Sequence, residues 1–224
     1  MPRQVLRESS IVEAVREAVE RAPKRRFLES VDVSIVMKGI DLKRNPNLRF
    51  DEVIELPNPP KGKPSKVAVI GRGDFALRAK EAGADAVFSP EDIESIAKSK
   101  RELRKLANRF DFFIAQADVI PRLARLLGPI FGPRGKMPIP LPATQVDRLP
   151  AMIERLKRSV KGRMRGQPVF HLRVGTRDMD PEEIAENIEA VLSAVERKYG
   201  DLSKVDAIYV KTTMGPPVRV EVER

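Results

Sequence analysis

The period of the apolar pattern changes in the middle of this chain, and this change limits the folds open to it. Residues 31–37 and 205–210 alternate apolar with polar side chains, as half-buried strands do. Residues 67–70, 86–88 and 112–115 are instead continuous apolar runs, and each precedes an amphipathic stretch. Such strand–helix alternation predicts a parallel sheet covered on both faces. The sequence therefore predicts an α/β chain in which a split α+β domain is interrupted by an inserted parallel-sheet domain.

Two segments of unusual composition mark the ends of the inserted domain. Residues 57–65 hold four prolines in nine positions, which is typical of a semi-rigid linker. Residues 157–166 form a second boundary, because this stretch is basic, contains two glycines and has no acid. We therefore predict that residues 1–65 and 156–224 are the two parts of the outer domain and that residues 66–155 are the insertion.

The composition limits the chemistry that the chain can perform. Its 224 residues include no cysteine and one histidine, so disulfides, thiolate chemistry and Cys/His zinc sites are excluded. The net charge is +10, divided as +3, +5 and +2 over the three predicted segments, which indicates a polyanionic partner. The sequence shows neither an apolar stretch of membrane-spanning length nor a signal pattern, so we expect a cytoplasmic protein without membrane contact.

Besides the amphipathic stretches of the insertion and the Ser-Pro-Glu-Asp helix start at residues 89–92, helix signals are clear in three places. Ser10 and Glu13 have the spacing of a capping box, which predicts a helix over residues 10–22. Helical periodicity also runs through residues 145–160. A third helix is predicted from residue 180 to residue 199, because an Asp-Pro-Glu-Glu start precedes the apolar face and a glycine follows it.

Residues 127–140 contain three glycines and four prolines, and we expect an irregular loop there. Arg134 and Lys136 would lie on this stiff frame. Long ordered surface loops often carry function, and two cations so placed suit phosphate contact. The alternative is a rigid linker.

The segment that connects the last two alternating runs, residues 211–217, has an unusual composition for a turn. It contains, in order, Lys211, Thr212, Thr213, Met214, Gly215 and two prolines. Hydroxyls, one cation, a displayed Met and a glycine that permits close backbone approach suit the sugars and phosphates of a folded nucleic acid. The alternative is an ordinary hairpin loop, since glycine and proline dominate turns in general.

Two further side chains are candidates for ligand contact. His171 is out of phase with the apolar residues of its strand, so it should face away from the core. Phe27 directly follows a basic run, and it either stacks on a base or anchors the core.

Residues 71–76 satisfy the pattern G-x-G-x-x-A after a strand, and Glu91 and Asp92 follow about 20 residues later, as in dinucleotide-binding domains. This makes an NAD-dependent enzyme an alternative function. Both acids, however, belong to the start of the next helix, and Asp74 would place a negative charge beside the pyrophosphate. We therefore favour a tight strand–helix turn.

Two motifs, at residues 132–138 (GPRGKMP) and 212–216 (TTMGP), carry a resemblance to a known family. The chain resembles, over essentially its whole length, the universal family of large-subunit ribosomal proteins that form the mobile stalk beside the tRNA exit site. The resemblance implies a split domain that binds a helical junction of ribosomal RNA. It also implies an inserted Rossmann-like domain without catalytic activity or cofactor.

The resemblance also implies which residues contact RNA. Family contacts cluster on the sheet of the split domain, at positions that match Arg26, Phe27, Glu29, Ser30, His171, Thr212, Thr213, Met214 and Gly215. To these we add Lys211 from the composition of the turn, and Arg134 with Lys136 as a second contact with RNA or tRNA.

The same resemblance implies several partners and places the chain in one branch of the family. We expect binding to large-subunit ribosomal RNA, contact with exit-site tRNA, repression of the chain's own messenger, and a monomer outside the ribosome. The chain departs from the usual bacterial pattern at Arg26, at Ser30 and by one additional residue near 37–39. These departures indicate the archaeal-like branch. A general polyanion-coating protein is the remaining alternative, and it would show no preference for a structured junction.

Overall fold

The computed structural model describes residues 8–221, which form two compact units. Unit 1 combines the residues up to Pro64 with those from Arg158 onward, and unit 2 is Ser65–Lys157. The ends of unit 2 lie one and two residues from the boundaries predicted from the sequence. That each unit folds as an independent domain stays a proposal.

The described residues contain seven α-helices and ten strands. The helices are α1 (Glu8–Glu20), α2 (Gly73–Glu81), α3 (Pro90–Ala97), α4 (Lys100–Arg109), α5 (Ile120–Arg134), α6 (Leu149–Lys157) and α7 (Pro181–Tyr199). The strands are β1 (Ser30–Met37), β2 (Asp51–Glu55), β3 (Val67–Ile70), β4 (Ala86–Phe88), β5 (Phe112–Gln116), β6 (Ile139–Leu141), β7 (Ser159–Arg163), β8 (Val169–Thr176), β9 (Val205–Thr212) and β10 (Val218–Arg219).

Unit 1 is built on an antiparallel sheet of order β10-β9-β1-β8, with β2 and β7 paired beside it. Alternate residues of β1, namely Val31, Val33 and Ile35, are fully buried, as the period-two pattern predicts. They pack in one apolar cluster with the buried faces of α1 and α7. Because Asp180 and Pro181 begin α7 and Gly200 ends it with φ +87°, the predicted helix of this region is confirmed.

Unit 2 contains the parallel sheet, in the order β4-β3-β5-β6. All four residues of β3 are buried, as expected for a strand covered on both faces. Phe110, Phe113 and Phe131 form edge-to-face pairs within its core. The α/β class, with one antiparallel and one separate parallel sheet, is therefore confirmed. Within residues 8–221 no helix has the length and apolar character needed to cross a membrane.

The expected irregular loop over residues 127–140 is wrong. Helix α5 continues to Arg134 through Pro129 and Pro133, and β6 follows. Leu123, Leu127 and Phe131 recur every four residues and are buried in the core of unit 2, so packing of this face offsets the backbone hydrogen bonds that the prolines remove. The prolines are themselves four residues apart and both are exposed. Gly135 ends the helix in the left-handed conformation, with φ +69°.

Two other helix boundaries differ from the prediction. Helix α1 begins at Glu8, so Ser10 lies inside it and is not its N-cap; its hydroxyl donates to the carbonyl of Glu221 at 3.2 Å. Helix α6 ends at Lys157, and Val160 belongs to β7, which pairs with β2. Val160 continues the apolar period of α6 in the sequence, but it is buried in a different core. It packs in unit 1, whereas α6 belongs to unit 2. The last predicted strand is short, and Val222 lies outside the described residues.

Candidate nucleic-acid interface

One face of the unit 1 sheet carries mostly polar side chains, because residues that alternate with the core positions point away from α1 and α7. We call this the open sheet face and define it by Asp32 and Ser34 of β1, His171 and Arg173 of β8, Tyr209 and Lys211 of β9, and Arg219 of β10. Each of these residues is at least partly exposed. A hydroxyl, an imidazole, a phenol and cations are thus displayed on one surface.

A row of three side chains crosses the centre of the open sheet face. Ser34 lies opposite His171 in β8 and opposite Tyr209 in β9. The imidazole Nδ1 of His171 is 2.7 Å from the Ser34 hydroxyl, and His171 is exposed, which agrees with its predicted orientation. Sequence reasoning missed Tyr209 and Arg173, although both alternate with buried neighbours just as His171 does.

Asp32 places a carboxyl among the cations of this face, since both Lys211 and Arg173 lie opposite it in the neighbouring strands. Burial raises the pKa of the Asp32 carboxyl above its ordinary value of 3.8, and Lys211 and Arg173 offset this only in part. Protonated Asp32 therefore stabilises the folded state. This stabilisation is complete at pH values below the ordinary pKa of 3.8, and it is lost as pH rises through the pKa of the folded state.

The neutral substitution Asp32→Asn should therefore raise the midpoint of thermal unfolding at pH 7. The gain should shrink as the pH is lowered toward the ordinary pKa of aspartate, because wild-type Asp32 is then protonated too. Asp206→Asn, at an exposed position of β9, is the matched control and should show no such trend. An Asp32→Asn variant that melts below the wild type at pH 7 would show that attraction to Lys211 and Arg173 outweighs the effect of burial.

The turn at the end of β9 is hydrogen-bonded to the beginning of β1. The backbone N–H of Thr213 donates to the carbonyl of Ser30 at 3.0 Å, and the Thr213 hydroxyl accepts from the Ser30 N–H at 3.2 Å. The Met214 side chain is left 58% exposed. The geometry thus gives Thr213 and Ser30 a role in fixing the turn, while Met214 is displayed.

Glu29 is completely buried beneath this turn. One carboxylate oxygen accepts from the Met214 N–H at 3.1 Å, and the other accepts from the Arg177 guanidinium at 2.9 Å. Arg177 also donates to the carbonyls of Ala22 and Pro23, both at 3.0 Å. We expected Glu29 to contact RNA, but its position favours an indirect role, because its carboxylate orients Met214 from below. Arg177 was missed by sequence reasoning.

Thr212 and Gly215 are also placed for packing. Thr212 is fully buried, so this expected contact residue does not reach the surface. A Cβ at Gly215 would lie 3.0 Å from the Cβ of Ala22 and closer still to the Thr212 hydroxyl, so only glycine fits there without a shift. Both residues shape the turn that presents Met214.

Arg26 and Phe27 lie on the segment just before Glu29, and both are exposed. The Phe27 ring is 53% exposed, which excludes its interpretation as a core anchor. A displayed aromatic ring preceded by a guanidinium suits stacking on a base beside a phosphate.

The ammonium of Lys136 is hydrogen-bonded within unit 2. Its ammonium donates to the carbonyls of Phe110 at 2.7 Å and Ala107 at 3.0 Å, which lie at the C-terminal end of α4, and burial lowers its pKa. This geometry favours a structural role in place of the expected RNA contact. Arg134 donates to the carbonyl of Arg104 at 3.4 Å and is partly exposed.

Three residues of the dinucleotide pattern, Gly71, Glu91 and Asp92, have structural roles. A Cβ at Gly71 would collide with the Phe75 ring, so this glycine is required for packing within unit 2. Asp92 forms a capping box with Ser89, and Glu91 pairs with Arg72. The geometry therefore supports the tight strand–helix turn. Within residues 8–221, no group of three or more acidic or histidine side chains is placed to hold a metal ion.

Comparison with known proteins gives a consistent result. The sequence model of the Ribosomal protein L1p/L10e family matches residues 17–216. The large ribosomal subunit protein uL1 of Korarchaeum cryptofilum is 58% identical to this chain over 212 residues, which cover 95% of this chain and 94% of that protein. The uL1 proteins of Archaeoglobus fulgidus and Methanothermobacter thermautotrophicus are 46% and 47% identical, over 96% and 95% of this chain and 99% of each relative. These sources agree with the predicted archaeal-like branch.

Proposed function

Because the chain belongs to the ribosomal protein L1p/L10e family, we propose that it binds a helical junction of large-subunit ribosomal RNA through unit 1. Membership of the family makes it a structural protein of the large ribosomal subunit, located in the cytoplasm. The proposed binding of an RNA junction by unit 1 depends on the geometry of the turn and of the open sheet face.

The observation that carries this proposal is the display of Met214 on a turn that is fixed from below. Its N–H is held by the buried Glu29 carboxylate, and the neighbouring Thr213 is bonded to β1. A turn held in this way needs little ordering when it meets a ligand, so little conformational entropy is lost on binding. The ligand would meet a thioether and nearby backbone groups, which fit the shape of a folded RNA.

The open sheet face fits the same ligand. An RNA helix presents a wide, shallow groove lined by 2′-hydroxyls and phosphates, and a flat sheet can lie against it. Ser34, His171 and Tyr209 offer hydrogen-bonding groups at the centre of the face, while Lys211 and Arg173 supply cations. The cations would give a salt-dependent share of the affinity, and the fixed polar groups would select the junction's shape.

The resemblance to the family implies further roles. We propose that the RNA-bound chain forms part of the mobile stalk near the tRNA exit site and contacts tRNA there. A messenger that folds like the ribosomal junction would compete for the open sheet face, and this competition would repress translation of the chain's own messenger. We further propose that the chain is a monomer outside the ribosome and has no catalytic activity.

The proposal is tested by titrating the full chain against two fluorescein-labelled RNAs of equal length. One is the ribosomal junction, and the other is a continuous duplex with the same base composition. We expect the junction to bind at least about 1,000-fold more tightly at physiological salt, the lower end of the range by which specific binding usually exceeds non-specific binding. Equal affinities for the two RNAs would instead support a general polyanion-coating protein.

A further inference from the structure

One stretch of unit 2 accounts for the positive excess of the inserted part of the chain. Residues 66–155 carry a net charge of +5. Residues 98–109 alone contain six basic residues and one acid, Glu102, which is also a net charge of +5. The rest of the insertion is therefore electrically balanced, and its positive charge is concentrated on α4 and the residues just before it.

The charges of α4 lie on its solvent side. Leu103, Leu106 and Ala107 bury one side of the helix in the core of unit 2. We define the α4 basic face by the exposed residues Arg101, Arg104, Lys105 and Arg109. With 3.6 residues per turn these four positions fall on the side opposite the core.

The three arginines of the α4 basic face make no ion pair within the described part of the chain. Lys105 pairs with Glu102 at 2.8 Å. Three exposed arginines elsewhere in unit 2 are paired, Arg72 with Glu91, Arg78 with Asp147 and Arg122 with Glu94, whereas Arg125 and Arg148 form no ion pair with the described residues. Among the described residues of unit 2, exposed arginines without an acidic partner are therefore most concentrated on α4.

The spacing of these charges works against the helix. Arg101, Lys105 and Arg109 follow each other at four-residue intervals, and Arg104 lies three residues after Arg101. Like charges at these intervals repel and destabilise a helix. Arg134 donates to the carbonyl of Arg104, which brings another cation to α4. A bound polyanion would relieve this repulsion, and local rules are most often broken at functional sites.

We propose that the α4 basic face is a second RNA-binding surface, separate from the open sheet face, and that its ligand is the phosphate backbone of an RNA duplex. Arg101 and Arg109 are separated by about 12 Å along the helix axis, enough for several phosphates of one strand. Arginine also binds phosphate through two parallel hydrogen bonds. The inference rests on the proposed function only in taking RNA as the polyanion. It predicts binding that is independent of base sequence.

The test compares two triple variants of the full chain. Arg101→Gln/Arg104→Gln/Arg109→Gln neutralises the α4 basic face, and glutamine keeps the helix propensity. Arg72→Gln/Arg78→Gln/Arg122→Gln removes the same charge from the paired arginines of the same unit. The probe is a fluorescein-labelled RNA duplex of about 16 base pairs, the length that double-stranded-RNA domains span. Affinity is measured by fluorescence anisotropy over a series of salt concentrations.

We expect the α4 variant to bind the duplex about tenfold more weakly at low salt. The slope of log K against log salt concentration should fall by about two to three, the effect of losing two to three phosphate contacts. The control variant should stay within about threefold of the wild type, because its arginines are already paired. Equal losses in both variants would overturn the proposal, since only net charge would then matter. Displacement of the duplex by polyglutamate as readily as by unlabelled RNA would overturn it in favour of an acidic protein partner.

The same variants separate this inference from the proposed function. Junction RNA should bind the α4 variant within about twofold of its wild-type affinity, since the open sheet face is unchanged. A joint loss of junction and duplex affinity in the α4 variant would overturn the existence of a separate surface. The proposed function would be contradicted if the wild type did not prefer the junction to the duplex. The second surface would still be supported if duplex binding were weakened in the α4 variant and not in the control variant.

Discussion

Arg177→Met is expected to be among the most destabilising single substitutions in unit 1. It leaves the fully buried Glu29 carboxylate without its cation and frees the carbonyls of Ala22 and Pro23. Breaking a buried ion pair usually lowers the free energy of unfolding by about 3–5 kcal/mol. We expect a value near the lower end of this range, because the Arg177 side chain is 23% exposed. Both tyrosines of the chain lie in unit 1, so urea unfolding followed by tyrosine fluorescence reports this unit alone.

Two matched variants isolate the cause. Arg16→Met removes an arginine from an exposed pair with Glu182 and should have little effect. Adding Glu29→Gln to Arg177→Met removes the unpaired charge while keeping an acceptor for the Met214 N–H, and should restore about 1–2 kcal/mol. Junction-RNA affinity should fall in Arg177→Met under conditions where the variant is still folded, because the turn loses its support. A double variant that is no more stable than Arg177→Met would contradict the buried-pair explanation.

Met214→Asp should produce the largest loss of RNA affinity, at least about 100-fold, or about 2.7 kcal/mol. The substitution replaces an apolar contact with a negative charge at an exposed position of the turn, where it would face RNA phosphates. Stability should change by less than about 0.5 kcal/mol, since the side chain packs little in the free protein. Anisotropy of labelled junction RNA measures the loss, and tyrosine-monitored unfolding checks the fold.

Met137→Asp is the matched control, because Met137 is another exposed methionine, 37% accessible, and lies in unit 2. Its junction-RNA affinity should stay within about twofold of the wild type. If both substitutions weakened binding equally, the effect of Met214→Asp would be one of net charge, and the turn would not be part of the interface.

The sequence predicted the fold where the hydrophobic period was regular. Three strands of the parallel sheet, β3, β4 and β5, could be located because burial sets their pattern, and helix α7 because its ends carry capping residues. The course of α5 could not, because Pro129 and Pro133 break the local rule and only the packing of Phe131 in the core of unit 2 keeps the segment helical. Local propensity is overridden by tertiary packing at that point.

The candidate site was predicted in part. Alternation could locate the solvent-facing residues of the open sheet face, and it would have found Tyr209 as well as His171. The support of the turn could not be predicted, since Arg177 and Glu29 are 148 residues apart and no local pattern links them. The resemblance matched Glu29 and Thr212 to contact positions of the family, and no local pattern could show that folding buries both; their contact with RNA stays a prediction.

The central claim is that unit 1 alone reads the RNA junction, and removal of unit 2 tests it most directly. The two connections run side by side, because the Ser65 N–H donates to the Lys157 carbonyl at 3.2 Å, so a short Gly-Ser bridge can join Pro64 to Arg158. Tyrosine fluorescence verifies that the shortened chain is folded, and anisotropy then gives its affinities for the junction and for the matched duplex. We predict that junction affinity stays within about threefold of the full chain, any loss reflecting the positive charge of unit 2, and that the preference for the junction is retained. A folded variant that binds junction and duplex equally would contradict the claim.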